Sequence, residues 1–285
     1  MIGHKKIIED LQKLADAGGL AHGYIFFGPA MVGKKMVARG LAGYLENGTF
    51  AEVPLLIDGI VIEPGENGSI GIDAAREIKQ FLWQKPNTSP RRTLIIDDAD
   101  CLTTQAQNAL LKITEEPPAS SLMILVTQDL ESIIPTILSR FQSIYFGTVP
   151  EGEIVGWLLA GGDRRQETRD RDNFSKDKIS GVAKKSFGKP GLALRLLNDE
   201  VLRKNMELAE KFLKSATAPR RDLIKKIIEP DEFDLRQFLD AVILVLASEK
   251  PSKKGLLLWH KTLALYEKQT NFSLNPRLQL EALMA

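Results

Sequence analysis

The sequence predicts an α/β protein. Residues 1–150 read as a parallel five-stranded sheet with helices on both faces, 151–205 as a small helical domain and 206–285 as an all-helical domain. Three observations carry this. Short apolar runs alternate with amphipathic helical patterns through the first half. The runs are almost continuously apolar, as in strands buried on both faces. After Pro150 the strand pattern stops and only helical periodicity continues.

Ile7, Ile8, Leu11 and Leu14 recur at helical spacing, so residues 5–16 read as a helix ended by Gly18-Gly19, with Lys5 and Lys6 on its solvated face. Tyr24-Ile25-Phe26-Phe27 is a short buried strand running into Gly28-Pro29. Val37, Leu41 and Leu45 mark a helix that stops near Asn47-Gly48. Residues 55–62 read as a second strand, interrupted at Asp58-Gly59, and 72–83 as a helix with Asp73 near its start. Residues 93–97, 122–127 and 143–146 complete the strands, with a helix over 105–114. Beyond them, 151–160 is helical, and 161–178 is a hydrophilic stretch with six basic and five acidic residues, read as a solvated loop or helix end. Helical periodicity returns at Ile179, at Leu192-Leu196-Leu197 and over 199–213, and Pro219 and Pro230 punctuate the helices that follow. Residues 235–247 form a helix apolar nearly all round, which requires burial in a bundle or against another chain.

Hydrophobic residues are 44% of the 285, which suffices for real cores without staples. Lys+Arg number 38 and Asp+Glu 37, a net charge of +1. That excludes a polybasic nucleic-acid coat and an acidic tail but leaves room for a local basic patch. The single cysteine, Cys101, excludes a disulfide framework and a multi-cysteine zinc site. The N-terminus lacks the apolar stretch of a signal peptide, and no run approaches the ~18 residues of a membrane span. The expectation is a soluble, cytoplasmic protein with no membrane partner.

Gly28-Pro29-Ala30-Met31-Val32-Gly33-Lys34-Lys35 follows a strand and opens a helix, which fits the phosphate-cradling pattern G-x-x-x-x-G-K. Such a loop wraps phosphates with backbone N–H groups at a helix N-terminus, and Lys34 would reach the outer phosphates. Two features depart from it. Lys35 stands where Ser or Thr would hold Mg²⁺, and Met31 where a third glycine often helps the loop close. Two readings stay open: a degenerate nucleotide loop, or an inherited strand–turn–helix with no nucleotide. Leu94-Ile95-Ile96-Asp97-Asp98 is an apolar strand ending in carboxylates, where Asp97 would hold Mg²⁺ through water. Asp98 occupies the position of a water-orienting Glu but is one methylene shorter. A metal-nuclease cluster of Asp97, Asp98 and Asp100 would lack its remaining ligands.

Further stretches carry a family resemblance. They are His22-Gly23-Tyr24-Ile25-Phe26-Phe27-Gly28-Pro29, Ile95-Ile96-Asp97-Asp98-Ala99-Asp100, and Ala106-Gln107-Asn108-Ala109-Leu110-Leu111-Lys112. Glu115-Glu116-Pro117-Pro118, Leu138-Ser139-Arg140, Phe187-Gly188-Lys189-Pro190-Gly191-Leu192-Ala193 and Asn275-Pro276-Arg277-Leu278-Gln279-Leu280-Glu281 complete the set. Together they resemble the clamp-loader branch of the AAA+ proteins over essentially the whole chain, and within it the delta-prime subunits of bacterial DNA polymerase III. The resemblance implies an AAA+ domain (1–150), a helical lid (151–205) and a helical collar for oligomerisation (206–285).

The resemblance also implies roles. In such rings a Ser-Arg-Cys motif projects an arginine into the neighbouring subunit's ATP site, a task suited to a planar, always charged guanidinium. Here Ser139-Arg140-Phe141 keeps the arginine and replaces the cysteine. Thr127 fits the first sensor position. Gly191 stands where motor subunits carry a γ-phosphate-sensing arginine, and Arg195, one turn later, misses that slot. Residues 46–60 are too short for the zinc module of many relatives, so no zinc and no metal site is expected. The implied role is a stator that gives Arg140 to a neighbour and turns over little ATP, while ATP or ADP binding without efficient turnover stays open. The implied partners are motor subunits of the tau/gamma type and a delta subunit in a hetero-pentamer, the sliding clamp, and primed DNA through the assembled complex. An active motor ATPase is the alternative. An independent nucleic-acid module is disfavoured by the +1 charge and the lack of an aromatic-rich basic run. His22 and Cys101 read as structural, Arg140 taken without its motif reads as a helix-end arginine paired with a local carboxylate, and Trp83 and Trp259 read as core or interface aromatics.

Overall fold

The computed structural model describes residues 1–51, 53–162, 175–215, 217–228, 233–248, 252–271 and 275–283. Much of the hydrophilic stretch 161–178, and Pro230, lie outside them. By packing, the chain divides into two compact units, residues 1–162 with 187–191, and 163–186 with 192–285.

The first unit is built on a sheet of five strands: β1 (Gly23–Phe27), β2 (Gly59–Ile62), β3 (Arg92–Ile96), β4 (Ser121–Thr127) and β5 (Gln142–Tyr145). Their order is β2-β3-β4-β1-β5, and every pairing is parallel. The strands alternate faces one residue at a time. Ile25, Leu94, Ile96, Met123 and Leu125 enter one core with helices α3 (Ile72–Leu82), α4 (Thr104–Glu115) and α5 (Pro135–Leu138). Tyr24, Phe26, Ile95, Leu122, Ile124 and Val126 enter the opposite core with α1 (Lys5–Asp16) and α2 (Lys34–Asn47). Cores on both faces explain why the strand sequences are apolar at consecutive positions. Helix α6 (Glu151–Leu159) completes the helices of this unit.

Two expectations change. The second strand is only Gly59–Ile62. Upstream of it, the Ile57 and Asp58 N–H groups donate to the Glu46 carboxylate (3.1 and 2.8 Å) instead of joining the ladder. Of the two readings for Trp83, core or interface aromatic, the core one does not hold. The residue caps the C-terminus of α3 with 63% of its surface exposed, because the buried stripe of that helix runs through Ala75, Ile78 and Leu82.

The second unit is helical: α7 (Lys176–Lys185), most of α8 (Pro190–Asn198), α9 (Glu200–Lys214), α10 (Thr217–Ile228), α11 (Leu235–Ser248), α12 (Lys253–Asn271) and α13 (Pro276–Leu283). Pro219 falls in the first turn of α10, where a missing N–H costs nothing. One apolar core runs from Leu192 through Met206, Phe212, Phe238 and Val242 to Leu280 and Leu283. Helix α11 packs against α9 and α12 of its own chain, which buries Leu235, Phe238, Leu239, Ala241, Val242 and Val245 and leaves Ile243, Leu244 and Leu246 half-buried. Among the described residues, no helix is long and apolar enough to cross a membrane.

Candidate functional site

In a parallel sheet, chemistry gathers at the carboxyl ends of the strands. Here four strands deliver residues to that edge: Gly28 follows β1, Glu63 follows β2, Asp97 follows β3 and Thr127 ends β4. Gly28 turns at φ 132°, and a Cβ there would collide with the Phe146 carbonyl oxygen, so only glycine fits. Gly33 (φ 109°) then opens α2.

The two lysines of the loop are both engaged. Lys34 is buried, and its Nζ donates to the carbonyls of Gly28 (2.6 Å) and Pro29 (2.7 Å), folding back into its own loop. Burial pushes its pKa down, and the carboxylates of Asp100, Asp98 and Asp97 only partly oppose this. The Lys35 ammonium lies 2.9 Å from Asp97 Oδ2 and is hydrogen-bonded to the Glu63 carboxylate. Burial draws its pKa down, but Glu63 and Asp97 outweigh that, and the net shift is upward. This donor set does not fit Mg²⁺: the side chain that should offer a hydroxyl offers a positive charge instead. Among the described residues, no group of three or more His, Cys, Asp or Glu side chains is placed to hold a metal ion.

The carboxylates after β3 have separate tasks. Asp98 is exposed and takes a left-handed backbone conformation (φ 48°) before the turn Ala99–Cys101, where its backbone carbonyl, not its side chain, accepts from the Cys101 N–H (2.8 Å). Its pKa is raised, by partial desolvation first and then by Asp97 and Asp100. Asp100 reaches across to β4, where its carboxylate accepts from the Thr127 hydroxyl and from the Gln128 N–H (2.9 Å). Thr127 is buried and also hydrogen-bonded to the Asp129 carbonyl (2.8 Å).

Segment 187–191 packs against the loop. The Gly191 N–H donates to the Met31 carbonyl (3.0 Å), and a Cβ at 191 would stand 3.0 Å from Met31 Cβ. Met31 itself has φ 63°. The two departures at 31 and 191 therefore meet in space.

Arg140 follows α5 on the surface of the same unit, with a third of its side chain exposed. One guanidinium nitrogen donates to the Thr136 carbonyl (2.6 Å), and the other pairs with the Glu115 carboxylate (3.1 Å). Phe141 points inward, against the backbone of Gly23, where a Cβ would lie 2.7 Å from the ring. The residue after the arginine is thus a packing position, which explains why Phe can stand there. Buried Gln107 of α4 fixes the approach to α5. Its amide donates to the Ser132 carbonyl (2.9 Å) and accepts from the Ile134 N–H (2.9 Å).

Residues 3–150 match the family described as DNA polymerase III, delta subunit. The chain belongs to this family. Within its reach, the chain is 34% identical over 138 residues to the DNA polymerase III delta' subunit of Escherichia coli, covering 48% of this chain and 38% of that one. It is 33% identical over 166 residues to the gamma/tau subunit of Mycobacterium bovis, covering 53% of this chain and 28% of that one. It is also 29% identical over 275 residues to the gamma subunit of Buchnera aphidicola, covering 92% and 70%. The match thus spans well under two thirds of the Escherichia and Mycobacterium relatives. A gamma subunit-related protein of Thermotoga maritima shares the fold, with a TM-score of 0.60 at 22% identity over 97% of each chain. The Thermotoga maritima RuvB motor does so with a TM-score of 0.50 at 17% identity, over 97% of this chain and 91% of that one. The fold of this family member is accordingly the AAA+ fold.

For a member of this family, the predicted residues fall into two groups. Gly28, Gly33, Lys34, Lys35, Asp97, Asp98 and Thr127 gather at one edge of the sheet, while Arg140 stands apart with Glu115. Sequence reasoning missed Glu63 as the partner of Lys35 and Glu115 as the partner of Arg140. Glu63 carried a usable signal, since it directly follows a strand adjacent to β3. Glu115 lay inside a quoted motif, but its task is visible only when α4 and α5 are placed side by side.

Proposed function

We propose that this chain is a non-motor subunit of a DNA polymerase III clamp loader, working in the cytoplasm. In this reading 151–205 serves as lid and 206–285 as collar. Its partners are gamma/tau-type motor subunits and a delta subunit in a hetero-pentamer, with the sliding clamp and primed DNA engaged by the complex. The chain supplies Arg140 to a neighbour's ATP site and hydrolyses little ATP itself. The observation that carries the non-motor reading is the Lys35 ammonium on Asp97, where a hydrolytic site needs a metal. Supporting the arginine role, the guanidinium is held on the surface by two partners, and the next residue, Phe141, is buried in the core. The pair with Glu115 is exposed and cheap to exchange for a phosphate.

A motor reading draws on the G-x-x-x-x-G-K loop, Asp97 and the long match to a gamma subunit. The two readings separate in a loader reconstituted with motor and delta subunits, by DNA- and clamp-stimulated ATP turnover. Arg140→Ala should leave the fold stable to within about 0.5 kcal/mol and slow turnover, by as much as ~10³-fold if it acts as a full arginine finger. Unchanged turnover in an intact complex would remove Arg140 from the reaction. Lys34→Met should leave turnover near wild type, whereas its complete loss would establish the motor reading.

A further inference from the structure

In a phosphate loop of this pattern, the residue after the loop lysine offers a hydroxyl to a divalent ion that the carboxylate after β3 also holds through water. In this chain those two positions are Lys35 and Asp97, and they form an ion-pair set together with Glu63. Lys35 lies in the first turn of α2, and its ammonium contacts Asp97 Oδ2 at 2.9 Å and the Glu63 carboxylate. Strands β2 and β3 are neighbours with Ile62 paired to Ile96, so Glu63 and Asp97 emerge side by side. Asp97 is only 15% exposed and cannot turn away freely to water. A lysine suits this position because it is a compact point charge with three donors on a flexible stem.

We propose that the Lys35 ammonium is the resident cation of the Asp97–Glu63 pair and excludes divalent metal ions from it. The inference deepens the non-motor reading and rests on it for its functional meaning, but its geometry belongs to this chain alone. A second cation brought to the pair would sit within a few ångströms of the Lys35 charge, and on the Asp97 side, where exposure is low, the repulsion is least screened. The tethered ammonium also needs no capture from solution, so a divalent ion must compete with a charge already in place. Removing the charge while leaving the carboxylates should uncover a metal site made of Asp97, Glu63 and the hydroxyl introduced at position 35, all oxygen donors suited to Mg²⁺ or Mn²⁺.

The test is Mn²⁺ binding to the isolated full-length chain, read by loss of the free Mn²⁺ paramagnetic resonance signal, together with the thermal midpoint with and without millimolar Mn²⁺. The proteins are wild type, Asp97→Asn, Lys35→Thr, Lys35→Gln, Lys35→Arg, and Lys35→Thr combined with Asp97→Asn. The expected result is that Lys35→Thr binds Mn²⁺ at least about tenfold more tightly than wild type and is stabilised by it. The double variant should lose that gain, and Lys35→Arg, which keeps the charge, should respond like wild type. Lys35→Gln should gain stability from Mn²⁺ more weakly, since it offers a carbonyl rather than a hydroxyl. Wild-type Mn²⁺ binding that Asp97→Asn abolishes would overturn the proposal. So would a folded Lys35→Thr as indifferent to Mn²⁺ as wild type, or neutral variants that stay unfolded even with Mn²⁺ present. No turnover is read, so this failure is distinct from loss of loader activity in Lys34→Met, which would sink the non-motor reading instead.

Discussion

Asp58 lies at the edge of the sheet opposite the loop, with its side chain fully buried. Burial alone would raise its pKa. The N–H groups of Ser89, Thr88 and Asn87 (2.8, 2.6 and 2.7 Å) and the Thr88 hydroxyl outweigh this and hold it at about 2. Because the folded-state pKa lies below the unfolded one, the stabilisation is complete above the ordinary carboxylate range and is lost as pH falls toward 2. That difference corresponds to roughly 2 kcal/mol. Asp58→Asn should lose a comparable amount at pH 7 and flatten the decline of stability between pH 4 and about 2, as read by urea unfolding across pH. Nothing in the sequence announced Asp58 as more than a strand interruption, because its three backbone donors come from a loop about 30 residues downstream. Arg140 is the converse case. Its motif gave the residue, but the Glu115 partner came only from the packing of α4 beside α5.

At the scale of elements, the turn from β1 to α2 is the most constrained piece of the molecule. Gly28 must turn at positive φ under the Phe146 carbonyl, and Met31 accepts from the Gly191 N–H while itself at positive φ. Gly28→Ala should destabilise the first unit by at least about 1–3 kcal/mol through backbone strain and the clash, measured by equilibrium denaturation. A stability within 0.5 kcal/mol of wild type would show that the turn can relax. Strand β3 was legible because Leu94-Ile95-Ile96 can be buried on alternate faces of only a two-faced sheet. Strand β2 was overextended because Leu55 and Ile57, apolar in sequence, are largely exposed while Glu46 takes the N–H groups of Ile57 and Asp58. Apolar composition predicts burial on average, and a local polar partner decides the individual case.

At the scale of the molecule, each unit has its own apolar core, and a core variant should report on its own unit. Phe238 is fully buried on α11, edge-on to Phe212 with ring centroids 5.9 Å apart. Phe238→Ala should cost about 3–5 kcal/mol. In native-state hydrogen exchange, protection should fall across α9, α11 and α12, while the amides of Leu94, Ile95 and Ile96 keep theirs. Loss of protection in both places together would mean that the two units unfold as one.

The sequence by itself determined the strand–helix alternation, the phosphate-loop pattern, the carboxylate pair after β3 and the family, because each is written in neighbouring residues or fixed spacings. It also exposed the odd lysine at position 35. What that lysine does was decided only by the tertiary structure. A parallel sheet brings the ends of β1, β2 and β3 to one edge, and there residues 28 and 62 positions apart in the chain, Lys35 with Glu63 and with Asp97, become an ion-pair set. Charge interactions depend on distance in space, and distance along the chain does not fix it until the strands have paired.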